Sequence, residues 1–292
     1  MLELKGLATS LFGGLVDKYA EYFTFVKDNL GSADIKVPFR TYVSWVFFLT
    51  GVSFVISLIV TPSLLLAFSF GIPLPIRIMM IVFIPVLVAA ATFMNFYFYP
   101  YQRTNTRRKD IETNLPFALT HMGAVAESGV PPYVIFKLIS EFEEYGEISR
   151  EMRKVVRNVD AFGLDPLSAV KEVAKKTPSE DFRQILTGFV TTTESGGDLK
   201  LFLKAAGEQA LFTWRIKREK FLQQLSMYAE FYTGVLIAAP LFLVSLFAVM
   251  ALIQPNLGGF DILTLSQLSI YGLIPAINVV FLIFLKGVEV EI

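Results

Sequence analysis

Ionisable side chains are absent from four long stretches of this sequence, two on each side of a highly charged middle region. The residues that bound these stretches are Arg40 and Arg77, Arg77 and Arg103, Glu230 and Asp261, and Asp261 and Lys286. A helix needs about 20 consecutive apolar residues to cross the hydrocarbon layer, and only a helix satisfies its own backbone hydrogen bonds there. The sequence therefore predicts two membrane-spanning helices, a soluble domain, and two more membrane-spanning helices.

The composition agrees with a membrane protein, because 54% of the residues are hydrophobic and 28 are Phe. The 26 basic and 26 acidic residues cancel, so no overall basic surface attracts nucleic acid, and no nucleic-acid partner is predicted. The chain has no cysteine, which excludes disulfides, thiolate chemistry and cysteine-ligated metals.

Proline-containing turns divide the apolar stretches into two helical hairpins. Thr61-Pro62 is predicted to end the first helix, and Gly71-Ile-Pro-Leu-Pro75 to precede the second. The four predicted spans are Tyr42 to Val60 or slightly beyond, Pro75 to Tyr99, Met227 to Ile253, and Ser266 to Leu285.

Basic residues near the ends of the spans predict the orientation of the chain, because such residues are retained on the cytoplasmic side. They precede the first and third spans and follow the second and fourth: Lys36, Arg40, Arg103, Arg107, Arg108, Lys109, Arg215, Lys217, Arg218, Lys220 and Lys286. Both termini and the middle domain are therefore expected in the cytoplasm. The first residues form an expected amphipathic helix at the membrane surface, with an apolar stripe at Leu2, Leu7, Leu11, Leu15, Tyr19 and Tyr22.

The middle region is predicted to be a six-helix bundle, because its apolar residues recur every three or four positions. Stripes of this kind are Leu115, Leu119, Met122 and Val125, then Val155, Val159 and Phe162. The six helices are expected at Arg107 to Glu127, Pro131 to Tyr145, Ile148 to Phe162, Pro166 to Lys175, Pro178 to Glu194, and Leu199 onward. The last is expected to continue into the third span. Thr177-Pro-Ser-Glu180 and Asp165-Pro166 are read as capped helix starts.

The predicted fold is thus all-α and polytopic, with four transmembrane helices in two hairpins flanking a cytoplasmic bundle. The expected domains are an N-terminal amphipathic segment at 1–40, hairpin 1 at 41–100, the bundle at 101–226, hairpin 2 at 227–286 and a tail at 287–292. All but the hairpins are expected in the cytoplasm.

No residue pattern predicts a catalytic, metal or cofactor site, so the chain is not expected to be an enzyme. His121 is the only histidine and is expected to pack in the bundle. Ser195-Gly-Gly-Asp198 lacks the strand and the Gly-Lys-Ser/Thr context of a phosphate loop, and is expected to be a turn with Asp198 as a helix cap. The acidic run Glu141 to Glu147 is attributed to a solvated helix end rather than to a divalent cation.

Six short motifs of the middle region, in order, resemble the type II secretion system F domain, and their spacing is most similar to its archaeal branch. They are Leu115-Pro116, Glu127-Ser-Gly-Val-Pro131, Tyr145-Gly-Glu-Ile-Ser149 with Glu151, Phe162-Gly-Leu-Asp165, Thr177-Pro-Ser179 and Glu194-Ser-Gly-Gly-Asp-Leu199. That branch includes platform proteins of archaella and archaeal pili and relatives in tight-adherence secretion. The resemblance covers roughly Ile111 to Glu208.

The resemblance implies a membrane platform without enzymatic activity, on which a hexameric cytoplasmic secretion ATPase drives the insertion or extraction of pilin-like subunits. Glu194, Gly196, Gly197 and Asp198 are then expected to contact the ATPase or a bundle interface, although a tight turn with capping acids explains them equally well. The basic residues Arg107 and Arg108 are further candidates for the ATPase, with lipid headgroups as the alternative.

Two further expectations concern assembly and a rival function. Many members of the family carry two F domains, whereas no internal repeat occurs in these 292 residues. A dimer is therefore expected, either of this chain with itself or with a second single-F-domain paralogue. The alternative function is a small transporter or channel with a cytoplasmic regulatory domain.

Overall fold

The computed structural model describes residues 9–10, 12–14, 16–67, 73–254, 256–257 and 259–288. Within these residues the fold is all-α, apart from one ladder of two short strands. Four helices of the described chain are long and apolar enough to cross a membrane, as predicted. The chain divides into two compact units, Met1–Gly207 and Glu208–Ile292.

The first unit holds the N-terminal helices, the first hairpin and most of the middle region. A 3₁₀ turn, Ala20–Phe23, leads into α1. The helices are then α1 Thr24–Ser32, α2 Phe39–Ala67, α3 Leu74–Glu127, α4 Pro132–Glu141, α5 Glu147–Phe162, α6 Pro166–Lys176 and α7 Glu180–Glu194. A second 3₁₀ turn, Glu143–Tyr145, separates α4 from α5. Helix α8, Leu199–Phe231, begins in the first unit and ends in the second.

The second unit contains two π-helical segments, each directly before a helix that has proline at its second position. Its elements are π-helix Tyr232–Ala238, α9 Ala239–Ile253, strands β1 Asn256–Leu257 and β2 Phe260–Asp261, α10 Ile262–Leu268, π-helix Ser269–Leu273 and α11 Ile274–Val288. The strands pair antiparallel, with Asn256 opposite Asp261. Pro240 and Pro275 cannot donate to the carbonyl four residues earlier, and a wider π turn is one way to accommodate that loss.

Two predicted helix boundaries at prolines are wrong. Helix α2 continues through Pro62 to Ala67, because membrane helices tolerate the loss of a single backbone donor. Helix α3 is one helix of 54 residues, rather than a span followed by a separate bundle helix from Arg107. Pro100 lies within it, and the carbonyl that Pro100 leaves free, that of Phe96, accepts a hydrogen bond from the Tyr42 hydroxyl at 2.9 Å.

Most helix starts and stops of the middle region lie where local capping predicts them. Asp165 caps α6 by accepting hydrogen bonds from the backbone N–H groups of Leu167 and Ser168, both at 3.1 Å. Helix α7 differs, because its cap is Ser179 and its first residue Glu180, not Pro178. Helix α4 also ends earlier than predicted, at Glu141, since Phe142 adopts an extended conformation.

The core of the middle region is built from the predicted apolar stripes. Buried side chains from α3, α4, α5 and α7 meet there, including Ile111, Leu115, Leu119, Met122, Phe136, Ile148, Met152, Leu186 and Phe189. The rings of Phe136 and Phe189 lie 4.6 Å apart. Burial of each such side chain stabilises the fold by about 1.5–3 kcal/mol. Phe162, which was included in a stripe, is 70% exposed instead.

The N-terminal segment packs its apolar side chains against the first hairpin. Phe23, Val26 and Leu30 form a buried cluster with Tyr42, Val43 and Val46 of α2, and with partly buried aromatic side chains of α3. Tyr19 and Tyr22 are exposed. The predicted stripe positions Leu2, Leu7, Leu11 and Leu15 lie outside the described residues.

Candidate functional site

The predicted partner-binding residues lie in two places, at opposite ends of α7. Arg108 pairs with Glu112 at 2.7 Å, and Glu112 lies 3.5 Å from the Ser179 hydroxyl at the start of α7. Glu194 is the last residue of the same helix. Fifteen residues at 1.5 Å each separate the two ends by about 20 Å. The structure therefore does not bring Arg107 and Arg108 together with Glu194–Asp198.

The segment from Glu194 to Asp198 forms a tight turn between α7 and α8. Gly196 has a φ of +68°, a left-handed conformation that favours glycine. The N–H of Gly197 donates to the Thr192 carbonyl at 2.8 Å, which closes the end of α7. Asp198 caps α8 by accepting a hydrogen bond from the Leu201 N–H at 3.0 Å. The two glycines and Asp198 thus form a tight turn and a helix cap, which is one of the two interpretations that the sequence offered.

The turn also presents charge and backbone to the outside. All residues from Glu194 to Asp198 are exposed. Glu194 pairs with Lys171 of α6 at 2.6 Å, and both side chains are about half exposed. An exposed ion pair of this kind contributes roughly 0–1 kcal/mol to stability. Its carboxylate is therefore accessible to a partner at little cost.

Close packing between α3 and α8 places this turn at one end of the bundle. A Cβ at Gly207 would lie 3.2 Å from the Thr120 backbone N, and one at Gly123 would lie 3.5 Å from the Lys204 backbone. Lys204 in turn pairs with Glu127, the last residue of α3, at 3.3 Å. The start of α8 thus lies beside the end of α3. Since α3 enters the bundle from its apolar half, the turn lies at the end farther from that half.

Arg107 lies inside the protein, at the other end of the bundle. It is 5% exposed and makes ion pairs with two carboxylates of α5, Glu147 at 2.7 Å and Glu151. Glu151 is 1% exposed and also pairs with Lys154 at 3.0 Å, which pairs with Asp34 at 3.1 Å. We call Arg107, Glu147, Glu151, Lys154 and Asp34 the Arg107 network. The Arg107 guanidinium is enclosed by this network, so Arg107 contributes to an interface within the chain.

Side chains of α3 bind the carboxyl end of α1. The last carbonyls of a helix have no partner within it, and they carry partial negative charge. Arg103 donates to the Ala33 carbonyl at 2.9 Å, Thr104 donates to the Asn29 carbonyl at 3.2 Å, and Arg107 donates to the Ser32 carbonyl. The same basic run that follows the second span therefore anchors the N-terminal segment.

Gly146 allows α3 and the start of α5 to approach closely. Its φ is +54°, and a Cβ there would lie 2.4 Å from the Asp110 Oδ2 atom. That oxygen accepts a hydrogen bond of 2.6 Å from the Glu147 N–H, which is the first free donor of α5. Ser149 further donates to the Phe142 carbonyl. The motif Tyr145-Gly-Glu-Ile-Ser149 with Glu151 is thus a buried polar junction between helices.

The pKa values in this region follow from burial opposed by neighbouring cations. Burial raises the pKa of the Glu147 carboxyl, but its hydrogen bond with Arg107 and the charges of Arg107 and Arg150 outweigh burial, so that pKa is lowered. Burial likewise raises the pKa of Asp34, but the hydrogen bond and charge of Lys154, together with the charges of Arg107 and Lys36, outweigh burial, so that pKa is lowered. The hydrogen bond with Glu112 raises the pKa of Arg108.

Sequence reasoning attributed Glu147 to a solvated helix end and named Glu151 only as part of a family motif, with no partner for either. The spacing of four residues between them was an available signal, because it places two carboxylates on one helix face. Nothing local identified Arg107 as their partner, since it lies 40 residues before Glu147.

The described residues contain no group of three or more His, Asp or Glu side chains arranged to hold a metal ion. His121 packs between helices, with its Nδ1 3.1 Å from the Tyr145 hydroxyl and its ring 4.9 Å from that of Phe142.

Residues 118–247 match the family model described as "Type II secretion system (T2SS), protein F". An uncharacterised protein of Methanocaldococcus jannaschii is 23% identical over 193 residues, which are 65% of this chain and 32% of that protein. Flagella accessory protein J of Methanococcus voltae is 25% identical over 174 residues, 59% of this chain and 30% of that protein. Flagella accessory protein J of M. jannaschii is 23% identical over 175 residues, 60% of this chain and 30% of that protein.

The chain thus spans about a third of the length of these curated relatives. No solved structure matches it. The family match includes the turn from Glu194 to Asp198 and begins inside α3. Residues 118–247 are thus similar to the type II secretion system protein F family, as the motifs of the middle region predicted, and the described chain has four helices long and apolar enough to cross a membrane.

Proposed function

We propose that this protein is a platform in the cytoplasmic membrane for a type IV filament or a type II secretion machine. In this role it couples a cytoplasmic secretion ATPase to the insertion or extraction of pilin-like subunits and has no enzymatic activity of its own. The observation that carries the proposal is an F-family domain in a chain with four helices of membrane length. Similarity to two flagella accessory proteins favours a filament as the product.

Helix α3 supplies the mechanical link in this proposal. Its amino-terminal half is a membrane-length apolar stretch, and its carboxyl-terminal half contributes Ile111, Leu115 and Leu119 to the bundle core. At 1.5 Å per residue its 54 residues extend about 80 Å. A displacement of the bundle therefore acts on the first hairpin through one continuous helix.

The turn from Glu194 to Asp198, including Gly196 and Gly197, is our proposed ATPase contact. It is exposed and lies at the end of the bundle farther from the apolar half of α3. Arg108 is exposed at the other end of α7, where lipid headgroups are the fitting partner. Arg107 is assigned to the network inside the chain.

Charge-neutral replacements at the turn test this contact. Glu194→Gln with Asp198→Ser removes both charges, and serine keeps the helix cap. Asp165→Ser is the matched control, because Asp165 caps α6 in the same way. The proposal expects the double variant to lose ATPase co-purification and filament assembly while the control keeps both. Unchanged binding and assembly by a folded double variant would refute the assignment.

The proposed cytoplasmic location of the bundle rests on the basic residues beside the spans. The chain has no cysteine, so single cysteines report without background. Glu141→Cys, on the bundle surface, is expected to react with a membrane-impermeant maleimide only after the cells are permeabilised. Asn256→Cys, in the loop of the second hairpin, is expected to react in intact cells. Reaction of Glu141→Cys in intact cells would place the bundle on the wrong side for a cytoplasmic motor.

The proposal includes a dimer, of this chain with itself or with a second single-F-domain paralogue. Its support is that residues 118–247 match the F-family model and that these 292 residues contain no internal repeat, whereas many members of the family carry two F domains. The mass of the detergent-solubilised protein, alone and with such a paralogue, tests it. A strictly monomeric mass in both cases would count against pairing.

A further inference from the structure

A cavity of about 480 Å³ lies where the carboxyl end of α1 meets α5 and α6. This volume falls within the range of small-molecule sites, roughly 300–1,000 Å³. Its walls combine apolar and charged side chains. The apolar wall includes the exposed ring of Phe162 and the side chain of Val173. The platform function described above does not use this cavity.

The acidic side chains of the cavity are already neutralised. Asp34 and Glu151 pair with Lys154 at 3.1 and 3.0 Å, and Glu172 pairs with Lys176 at 3.7 Å. Lys36 and Arg157 also line the cavity, and neither has a salt bridge within the part of the chain that the structure describes. Four cations and three carboxylates line the cavity, which leaves it with a net positive charge for an anionic ligand.

Glu151 adds a hydrogen-bond acceptor to this wall. Its side chain is almost fully buried, and its Oε1 atom binds Arg107 and Lys154. Its Oε2 atom is buried and has no hydrogen-bond partner among the described residues. A buried polar atom without a partner is destabilising, so a donor from a ligand is favourable there.

The cavity is thus lined by more cations than carboxylates, and one of those carboxylates has an oxygen without a hydrogen-bond partner among the described residues. We propose that the cavity binds a phosphate ester that bears a hydroxyl group, with Lys36 and Arg157 binding the phosphate and Glu151 accepting from the hydroxyl. Lys36 lies three residues before α2, the first membrane-length helix, so the cavity opens near the membrane surface. The same chemistry is present in a phosphoglycerol lipid headgroup and in a soluble sugar or glycerol phosphate.

Two probes distinguish these sources. Glycerol phosphate carries the phosphate and hydroxyls alone, and dihexanoyl phosphatidylglycerol carries them on two short chains. Binding of each to the full chain in neutral detergent is measured by calorimetry, with dihexanoyl phosphatidylcholine as a control for the chains. The test variant is Lys36→Gln with Arg157→Gln. The matched control, Lys27→Gln with Arg153→Gln, removes the same charge from exposed positions that do not line the cavity.

The test variant is expected to bind glycerol phosphate or dihexanoyl phosphatidylglycerol, whichever the natural protein binds, at least about tenfold more weakly. The loss of one charge-assisted hydrogen bond has about that effect. The control variant is expected to bind like the natural protein. Equal binding of both phosphate probes supports a soluble ligand, and binding of the phosphatidylglycerol alone supports a lipid headgroup. The proposal is overturned if neither probe binds, if phosphatidylcholine binds equally well, or if the two variants, with unchanged helix content, weaken binding to the same extent.

Discussion

The hydroxyl of Tyr42 donates a hydrogen bond of 2.9 Å to the carbonyl oxygen of Phe96. Phe96 lies four residues before Pro100, so its carbonyl is the one for which α3 has no backbone donor. A side chain of α2 thus completes the hydrogen bonding of α3 where its apolar stretch ends. The contact offsets part of the cost of Pro100 at the point where α3 enters the bundle as one helix.

Tyr42→Phe is expected to lower the free energy of unfolding by about 1–2 kcal/mol, because it leaves the Phe96 carbonyl without a donor. Thermal unfolding in detergent measures the change. Pro100→Ala restores the backbone donor, so Tyr42→Phe in that background is expected to cost less than half as much. Tyr22→Phe, at an exposed position, is the control and should have no effect. Equal costs of Tyr42→Phe in both backgrounds would contradict this role.

Arg107→Leu is expected to be severely destabilising, by about 3–5 kcal/mol, because it leaves Glu147 and Glu151 buried without their cation. Arg108→Leu is the control, since that side chain is half exposed and its loss should cost less than about 1 kcal/mol. Adding Glu147→Gln and Glu151→Gln to Arg107→Leu is expected to recover part of the stability. Chemical unfolding measures all three. Similar losses for the two arginine variants would contradict a buried network.

Acid is expected to destabilise the protein through Glu147 and Asp34. The folded state lowers both pKa values, so it binds fewer protons than the unfolded state as pH falls through the ordinary carboxyl range, about 4. Their contribution is complete above that range and is lost below it. The melting temperature should thus be level from pH 7 to 5 and fall below it. Glu147→Gln should melt lower at pH 7 and lose less on acidification; an equal loss would exclude Glu147 as a cause.

Gly146→Ala is expected to destabilise the protein much more than Gly163→Ala. Gly163 has left-handed backbone angles, φ +65° and ψ +22°, which cost a residue with a side chain about 1–2 kcal/mol. Gly146, at φ +54° and ψ −118°, lies outside that region, in a conformation that a side chain strains further. Only at Gly146 does the added Cβ also collide with Asp110, at 2.4 Å, whereas nothing lies within 4 Å at Gly163. Unfolding of the two variants under the same conditions gives the comparison. Equal costs would contradict both the greater backbone strain at Gly146 and the collision with Asp110.

Features that depend on neighbouring residues were predicted from the sequence. The four membrane-length helices follow from stretches of about 20 residues, and caps such as Asp165 and Asp198 act within three residues. The turn from Glu194 to Asp198 was also predicted, as one of two readings. The role of this turn as a partner contact is a proposal, because a helix cap and a binding surface would both use the exposed side chains of Glu194 and Asp198.

Features that depend on distant residues were not predicted. Pro100 was expected to lie between two helices, and Tyr42, which binds the carbonyl that Pro100 leaves free, is 54 positions from that acceptor. Glu147 was placed on a solvated helix end, and its partner Arg107 is 40 residues away. In both cases the prediction used only neighbouring residues, and the contact that it missed joins residues far apart in the sequence.

The continuity of α3 is the physical basis of the proposed coupling, and a distance across Pro100 tests it most directly. Spin labels at Met94→Cys and Thr113→Cys, both exposed positions, are measured by double electron–electron resonance in lipid nanodiscs. Nineteen residues of unbroken helix separate the two positions by about 28 Å, so a single narrow distribution near that distance is predicted. A broad distribution, or one centred well below it, would show that the helix breaks at the membrane surface and would contradict the account.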